Sequence, residues 1–263
     1  MHLTVGMTSL PSRVALLRPT IESLLAGDLR PDRIILALPE ESIREGCGYT
    51  IPDWLSDLRV EVVRTAVDYG PGTKLLGTLP HISDAGYLVL ADDDVCYRPD
   101  FLKILTEAQR QDHTASFSFF VYNSFGLPVG QGCDGFSFWT PNLTGIAQFA
   151  DAHVLSTPLR LHDDLWISYF LASRGIAIKS LQDKLDGGLV YEQVHEINAL
   201  RYLEGEDGRE RLNREGLKSL LASAHLPLGQ KLRIRASLLL DAARRLLVGA
   251  KWRAATFIGR RTG

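Results

Sequence analysis

The amino-acid sequence predicts an α/β fold in which a mostly parallel sheet is flanked by helices. Apolar, strand-like segments alternate with helical segments over roughly the first hundred residues, which is typical of parallel strands joined by right-handed crossovers. Residues 88–91 are apolar without alternation, as expected of a strand buried on both faces. That strand leads directly into Asp92, Asp93 and Asp94, at the end where open α/β sheets bind ligands.

The predicted elements follow one another in a regular order. Strands are predicted at residues 3–7, 33–38, 60–64, 88–91, 115–121 and 176–178. Helices are predicted at residues 14–25, from Lys74, at 101–105 and at 163–171. Residues 126–141 are rich in glycine and aromatic side chains and predict a loop that lines a pocket. We expect a main domain over residues 1–203 and a helical, basic amphipathic region over residues 204–263.

The composition is that of an ordinary soluble protein. A chain of 263 residues with 45% hydrophobic and 23% charged residues is large enough for a sizeable core. Its net charge of -2 gives no reason to expect nucleic acid as a partner. Cys47, Cys96 and Cys133 form no CxxC pair, which argues against a disulfide framework or a zinc site. The sequence shows no signal-peptide pattern and no long apolar segment, so we expect a cytoplasmic location.

The last part of the chain differs from the rest in charge. From Gly229 onward, nine Lys or Arg residues stand against a single acid, Asp241, and leucines recur among them. This pattern predicts a basic amphipathic helix that lies on an anionic membrane, here the inner face of the membrane. The alternative is a helix packed on the domain with its cations in solvent.

The three consecutive aspartates require a positive partner if they lie close together. Like charges in one place are costly, and a divalent cation that itself carries a diphosphate is a natural counterion for carboxylates. The alternative is a solvated acidic loop, which is the usual meaning of an acidic run. The buried strand that precedes Asp92 favours the metal and phosphate site.

Four motifs, in this order, give the chain a family resemblance. They are Thr8-Ser9-Leu10-Pro11-Ser12-Arg13 after the first strand, Asp92-Asp93-Asp94, His162-Asp163-Asp164-Leu165-Trp166, and His195. Together they resemble a nucleotide-sugar-dependent glycosyltransferase of the GT-A fold, similar to family 2, over residues 3–203. The resemblance implies a Rossmann-like sheet of the GT-A type. It also implies a DxD motif, a divalent metal and a nucleotide diphosphate sugar, UDP being the expected nucleotide.

The resemblance also implies roles for individual residues. Those expected to bind the nucleotide sugar are Thr8, Ser9, Arg13, Asp68, Lys74, Asp92 and Asp93. The expected ligands of Mn²⁺ or Mg²⁺ are Asp92, Asp94 and His195, and the imidazole favours Mn²⁺. Asp163 or Asp164 is expected to deprotonate the acceptor, as a carboxylate within hydrogen-bond reach does. The alternative is that both aspartates only cap the following helix.

Two further assignments remain open between a functional and a structural role. Lys74 follows a Gly-rich turn at the start of a helix, where it would meet a phosphate, but a solvent-exposed lysine fits the pattern as well. Gly132 and Trp139 would bind the acceptor sugar, by close backbone approach and by ring stacking. The alternative is a hairpin with aromatic residues in the core.

The expected activity is transfer of a sugar to a glycan or lipid-linked acceptor, with inversion at the sugar. Three other classes compete with it. A phosphatase of the haloacid dehalogenase type usually has DxDx[TV] after its first strand, but here Cys96 stands at the fifth position. A sugar nucleotidyltransferase usually has a Gly-rich loop after its first strand, but residues 8–13 contain no glycine. A non-catalytic carbohydrate-binding homologue would bind the nucleotide sugar without turning it over.

Overall fold

A computed structural model describes residues 1–82, 84–198 and 208–259. Within these residues the strands are β1 Leu3–Met7, β2 Arg33–Pro39, β3 Glu41–Ser42, β4 Cys47–Gly48, β5 Val60–Thr65, β6 Tyr87–Leu90, β7 Val95–Tyr97, β8 Ala115–Ser118, β9 Val121–Ser124, β10 Leu127–Gly130, β11 Phe136–Trp139, β12 Ala177–Ser180 and β13 Tyr191–Gln193. The α-helices are α1 Arg18–Leu25, α2 Trp54–Asp57, α3 Thr73–Leu76, α4 Phe101–Gln111, α5 Ile146–His153, α6 Asp163–Ser173, α7 Gly208–Ser223 and α8 Leu228–Gly259. The expected domain boundary between residues 203 and 204 lies outside the described residues.

The main sheet is mostly parallel, which confirms the predicted fold class. Among the described residues it has seven strands, in the order β12-β8-β11-β6-β1-β2-β5. The pairs β1–β2, β1–β6, β2–β5 and β8–β12 are parallel. Only β11 breaks this pattern, since it runs antiparallel to both β6 and β8. Because β1 and β6 are parallel neighbours, the loops that follow them open at the same edge of the sheet.

The core lies on both faces of the sheet. Successive side chains of a strand point to opposite faces, so in β6 Val89 packs with α1 and α4 while Leu88 and Leu90 pack with α3, α5 and α6. All three side chains have no exposed surface. Full burial of a side chain of this kind contributes about 1.5–3 kcal/mol to stability. This two-sided burial explains why the segment before Asp92 is apolar without alternation.

The predicted helix at residues 14–25 begins later than expected. Residues Val14–Leu16 form a 3-10 turn, and α1 starts at Arg18 with Pro19 in its first turn. Proline has no N–H to donate, and its ring disfavours helical geometry at the residue before it. The first turn of a helix is therefore the place where it fits.

The predicted strand at residues 115–121 and the predicted loop at residues 126–141 were both wrong in detail. The first is split into β8 and β9, since the Ser118 hydroxyl donates to the Phe120 carbonyl and accepts from the Gln131 N–H, which turns the chain. β9 and β10 form a hairpin through Phe125 and Gly126, both with positive φ. The second contains β10 and β11. Its aromatic residues Phe136 and Phe138 lie fully buried in the core.

The C-terminal helices pack on the same side of the sheet as α6. Gly216 of α7 approaches Leu159 so closely that a Cβ at this position would lie 2.2 Å from the Leu159 Cδ2 atom. The Tyr169 hydroxyl of α6 donates to the Leu220 carbonyl of α7, and Ile234 of α8 is fully buried. None of the described helices is long and apolar enough to span a membrane.

Candidate active site

A cavity of about 530 Å³ lies at the carboxyl edge of the sheet, beside the loops that follow β1 and β6. It collects most of the residues that the sequence singled out. Those that line it are Thr8, Ser9, Arg13, Asp68, Lys74, Asp92, Asp93, Asp94, Asp163 and Asp164. Gly132, Trp139 and His195 do not line the cavity itself.

The aspartates reach this edge because the chain reverses directly after β6. The Ala91 N–H donates to the Gly6 carbonyl of β1, and the Asp92 N–H donates to the Tyr97 hydroxyl at 2.8 Å. β7 then runs back, paired with β13. The three carboxylates are thus fixed by the backbone at the end of the strand.

Arg13 joins two of the three aspartates. Its Nη1 donates to Asp93 Oδ1 and its Nη2 to Asp94 Oδ2, both at 2.7 Å. Its Nε donates to the Ile197 carbonyl at 2.8 Å. Ser9 donates its hydroxyl to the other oxygen of Asp93 at 2.6 Å. Burial raises the pKa of Asp93 to about 6, although Arg13 and the Ser9 hydroxyl both act to lower it.

Lys74 joins the remaining aspartate to the acidic motif of α6. It is only 4% exposed, and its Nζ lies 2.7 Å from Asp92 Oδ1 and 3.1 Å from Asp163 Oδ2. Burial alone would lower the pKa of Lys74, but Asp163, Asp92 and Asp164 together hold it well above its ordinary value. The ammonium is therefore a permanent positive charge between the two acidic motifs.

Asp163 and Asp164 occupy the first turn of α6, directly after His162. Their carboxylates contact groups outside the helix: Asp163 pairs with Lys74, and Asp164 Oδ1 accepts from the Gly132 N–H at 2.8 Å. Burial and the neighbouring Asp163 raise the pKa of Asp164 to about 7. A carboxyl group with such a pKa, at the wall of a cavity, is suited to take up a proton at neutral pH.

Gly132 supports this carboxylate and has no free surface toward a ligand. A Cβ at this position would lie 2.7 Å from Lys74 Nζ and 3.2 Å from Asp164 Oδ1. A side chain at this position would therefore displace the Lys74 ammonium and crowd the Asp164 carboxylate. Its expected contact with the acceptor stays a prediction.

Trp139 lies away from the cavity. Antiparallel pairing places Phe136 opposite Leu90, beside the aspartates, and Trp139 opposite Tyr87, at the start of β6. There the indole stacks on His113, with ring centres 4.1 Å apart. The structure does not bring Trp139 together with the other predicted site residues.

His195 lies near Asp94, on the segment that follows β13. Both of its ring nitrogens are buried and have no hydrogen-bond partner within the described residues. Burial and the charge of Arg13 lower the pKa of His195, while Asp94 raises it, so the imidazole is neutral at pH 7. A neutral imidazole whose ring nitrogens are buried and unpartnered within the described residues, and which lies near a carboxylate, is a suitable metal ligand.

The described residues contain no group of three His, Cys, Asp or Glu side chains that already surrounds one point. Lys74 holds one oxygen of Asp92, and Arg13 holds one oxygen of Asp94. The other oxygen of Asp94 and the unpartnered imidazole of His195 remain as ligands for a cation. The donor set therefore fits Mn²⁺ or Mg²⁺ if a diphosphate supplies further oxygens.

The loops around the cavity hold the other predicted residues. Both oxygens of Asp68 accept backbone N–H groups, from Gly70 at 2.7 Å and from Ile43 at 2.8 Å. Sequence reasoning missed several residues that line the cavity, among them Tyr49, Tyr122, Arg160, Tyr191 and Arg209. For Arg160 the place just before His162-Asp163-Asp164 was an available signal, and Tyr191 lies four residues before His195. Tyr49, Tyr122 and Arg209 lie far from every motif in the sequence.

Comparison with known proteins supports the fold. No family model and no curated protein matches the sequence. The mannosyltransferase PcManGT from Pyrobaculum calidifontis, solved with GDP-Man and Mn²⁺, matches 95% of this chain and 80% of its own at 14% identity, with a TM-score of 0.57. TarS 1-349 from S. aureus, solved with UDP-GlcNAc, matches 91% of this chain and 72% of its own at 15% identity, with a TM-score of 0.56.

This chain has the GT-A fold. The resemblance inferred from the four motifs is thereby confirmed for the architecture. At 13–16% identity the matches show the fold alone, and they leave the roles of individual residues to the geometry of the cavity.

Proposed function

We propose that this protein is a glycosyltransferase that moves a sugar from a nucleotide diphosphate sugar to a hydroxyl group of a glycan or lipid-linked acceptor. One observation carries the proposal. A single cavity brings the three aspartates after β6 together with a carboxylate of raised pKa on α6, and a buried lysine stands between them. Group transfer from a diphosphate needs both parts: positive charge at the leaving group and a base at the acceptor.

The donor half of the cavity is assigned to the loops after β1 and β6. Thr8, Ser9 and Asp68 line this half, where they would meet the nucleotide, for which UDP is our proposal. Lys74 is held at the boundary between Asp92 and Asp163, so its charge would face the diphosphate. Arg13 acts indirectly, because its three donor atoms are taken up by Asp93, Asp94 and Ile197.

Asp94 and His195 would hold the divalent metal, with Asp92 next to it. When bound, the metal neutralises the charge that develops on the leaving diphosphate. The protein's own contribution is orientation. Arg13 fixes the plane of the Asp94 carboxylate, and the Gln193 side chain ties β13 to the Asp94 carbonyl at 2.9 Å.

Asp164 is the proposed base, with Asp163 as the partner of Lys74. The acceptor hydroxyl would lose its proton to Asp164 as its oxygen attacks the anomeric carbon. Attack from the side opposite the diphosphate inverts the configuration at that carbon. Deprotonated Asp164 is the reactive form, and it predominates above a pH of about 7.

The test is release of free nucleotide from a panel of UDP- and GDP-sugars in the presence of Mn²⁺ and candidate acceptors. We expect one donor to be consumed, and a chelator to stop the reaction. If no nucleotide sugar in the panel binds or turns over, the proposal is wrong. Binding without turnover would instead support a carbohydrate-binding homologue.

We further propose that α8 attaches the protein to an anionic membrane surface on the cytoplasmic side. Leu228, Leu232 and Leu239 share one face of this helix and are each more than half exposed, and Ile234 on the opposite face is buried. Lys231 and Arg235 flank the exposed leucines. A helix that packs with one face and exposes leucines among cations on the other fits an interfacial position.

Vesicle sedimentation tests this attachment. Each cation near an anionic surface contributes about 1 kcal/mol, so the protein should sediment with vesicles of phosphatidylglycerol and phosphatidylcholine at low salt, and less at high salt. Replacing Leu232 and Leu239 by Ser should weaken sedimentation with little change in the melting temperature, since both side chains are more than half exposed. Full-length protein that ignores such vesicles would contradict the proposal.

A further inference from the structure

Arg160 lies in the wall of the cavity and is a cation that has no partner among the described residues. It is half-buried, and within the described residues its side chain makes no hydrogen bond and no ion pair. A guanidinium group that lines a cavity and is not bonded to the described residues can donate several hydrogen bonds to a ligand. Arginine in such a position is suited to bind a carboxylate or a phosphate with two parallel hydrogen bonds.

The neighbouring cations of the cavity differ from Arg160 in this respect. Arg13 is bonded to Asp93 and Asp94, and Lys74 to Asp92. These cations serve the protein's own carboxylates. Arg160 lies only three residues before Asp163, yet it forms no ion pair with either aspartate of α6.

The backbone that carries Arg160 is held in place. Residues Pro158–Leu161 form a 3-10 turn whose first N–H groups are capped by Thr157, with the Leu159 N–H donating to the Thr157 hydroxyl at 3.2 Å. Gly70 packs against this turn, where a Cβ would lie 3.0 Å from the Arg160 carbonyl oxygen. The side chain therefore projects from a fixed base, as a binding residue requires.

Arg160 lines the same cavity as the proposed base, Asp164, four residues before it in the sequence. Tyr122 and Arg209 also line this cavity. Burial raises the pKa of Tyr122 to about 12, and the charge of Asp164 adds to this rise while Arg209 opposes it, so all three groups are near neighbours. Arg160 thus lies on the same continuous segment of the cavity wall as Asp163 and Asp164, since residues 160–165 all line the cavity.

We propose that the acceptor carries an anionic group, a phosphate or a carboxylate, which Arg160 binds beside the reacting hydroxyl, with Arg209 at the same side of the cavity. This inference rests on the proposed function, because it assigns the acceptor half of that site. An acceptor of this class is a phosphorylated polyol, a phosphate-linked lipid or an acidic glycan. Binding of the anion would orient the hydroxyl toward Asp164.

Calorimetry with glycerol 3-phosphate tests the proposal, with and without saturating UDP and Mn²⁺. Wild type should bind the probe in both conditions. Arg160→Gln removes the charge at similar length and should weaken binding about tenfold or more, since hydrogen bonds to charged groups are strong. Arg160→Lys keeps the positive charge and should weaken binding of glycerol 3-phosphate less than Arg160→Gln does. The control is Arg174→Gln, at the far end of α6, where the guanidinium stacks on Phe170, and it should bind as wild type does.

Each other outcome has a defined meaning. Wild type that ignores glycerol 3-phosphate, or Arg160→Gln that binds it equally well, overturns the proposal. If UDP abolishes the binding of glycerol 3-phosphate, Arg160 binds the donor diphosphate, and this result also overturns the proposal. If Arg160→Gln loses binding of UDP-glucuronate but keeps binding of UDP-glucose, Arg160 binds an anionic group on the donor sugar. This result would also overturn the proposal. Failure of UDP to bind contradicts the proposed function, and the titration without UDP still decides the role of Arg160.

Discussion

Two adjoining clusters of charge line the cavity, and they are built differently. In the first, Arg13 serves Asp93 and Asp94, and the Ser9 hydroxyl takes the remaining oxygen of Asp93. In the second, Lys74 alone stands among three carboxylates, Asp92, Asp163 and Asp164.

The two clusters differ in how fully their carboxylates are hydrogen-bonded and paired with cations. We call the first the positioning cluster and the second the reactive cluster. Each oxygen of Asp93 accepts a hydrogen bond from the protein, which suits this carboxylate to orient Ser9 and Arg13. Asp164 accepts a hydrogen bond from the Gly132 N–H, and its pKa is raised to about 7. A shortage of positive charge in the second cluster thus leaves one carboxylate ready to accept a proton.

The largest effect is expected in the first cluster. Asp94→Ala should abolish nearly all turnover and remove the Mn²⁺ dependence of UDP binding, because the variant loses the carboxylate that would meet the metal. Calorimetry with UDP, with and without Mn²⁺, measures this, and circular dichroism should show an unchanged fold. Equal metal dependence in wild type and variant would mean that Asp94 is not a ligand.

The second largest effect is expected in the reactive cluster. Asp164→Asn should keep its affinity for the nucleotide and lose turnover by a factor of about 10² or more, as removal of a general base does. The matched variant is Asp163→Asn, which should instead disturb the position of Lys74 and raise the KM for the donor. Near-normal rates in both variants would reduce the two aspartates to a structural role and favour a retaining mechanism.

A smaller effect is expected from the support of Asp164. In Gly132→Ala the new methyl group meets Lys74 Nζ at 2.7 Å, and the flexible end of a lysine can move away. We therefore expect a melting temperature close to that of wild type and a kcat reduced about tenfold. A variant with wild-type kcat would show that the position of Lys74 is not critical. Gly145→Ala is an unsuitable control because φ there is positive, whereas Gly229→Ala, with no neighbour within 4 Å, is suitable.

Close to neutral pH, the smallest effect is the dependence of the rate on pH. The pKa of Asp164 is raised in the folded protein, so its reactive, charged form is lost as the pH falls through about 7. The value of kcat/KM should therefore rise about tenfold per pH unit below this point and level off above it. In Asp164→Asn the residual rate should lose this rise. A wild-type profile that is flat between pH 5 and 8 would assign the proton transfer to another group.

Much of the fold could be predicted from local patterns. β1, β2, β5 and β6 lie within one or two residues of their predicted positions, because each is a short apolar run bounded by turn residues. The three aspartates were also placed correctly at the end of β6 for the same local reason. The hairpin of β9 and β10 was missed, since its strands are only four residues long and contain the polar Ser124 and Asn123.

The sequence by itself determined which residue types stand at the ends of the strands, since strand periodicity and turn residues act over a few neighbours. Only the tertiary structure decided which of these residues meet. Arg13 and Asp93 are separated by 80 positions, and Lys74 and Asp92 by 18. It also decided that Trp139 lies at the far end of β6, since antiparallel pairing sets the register of β11. Contacts across such separations depend on how the strands pair and the helices pack, and neither is encoded by any local pattern.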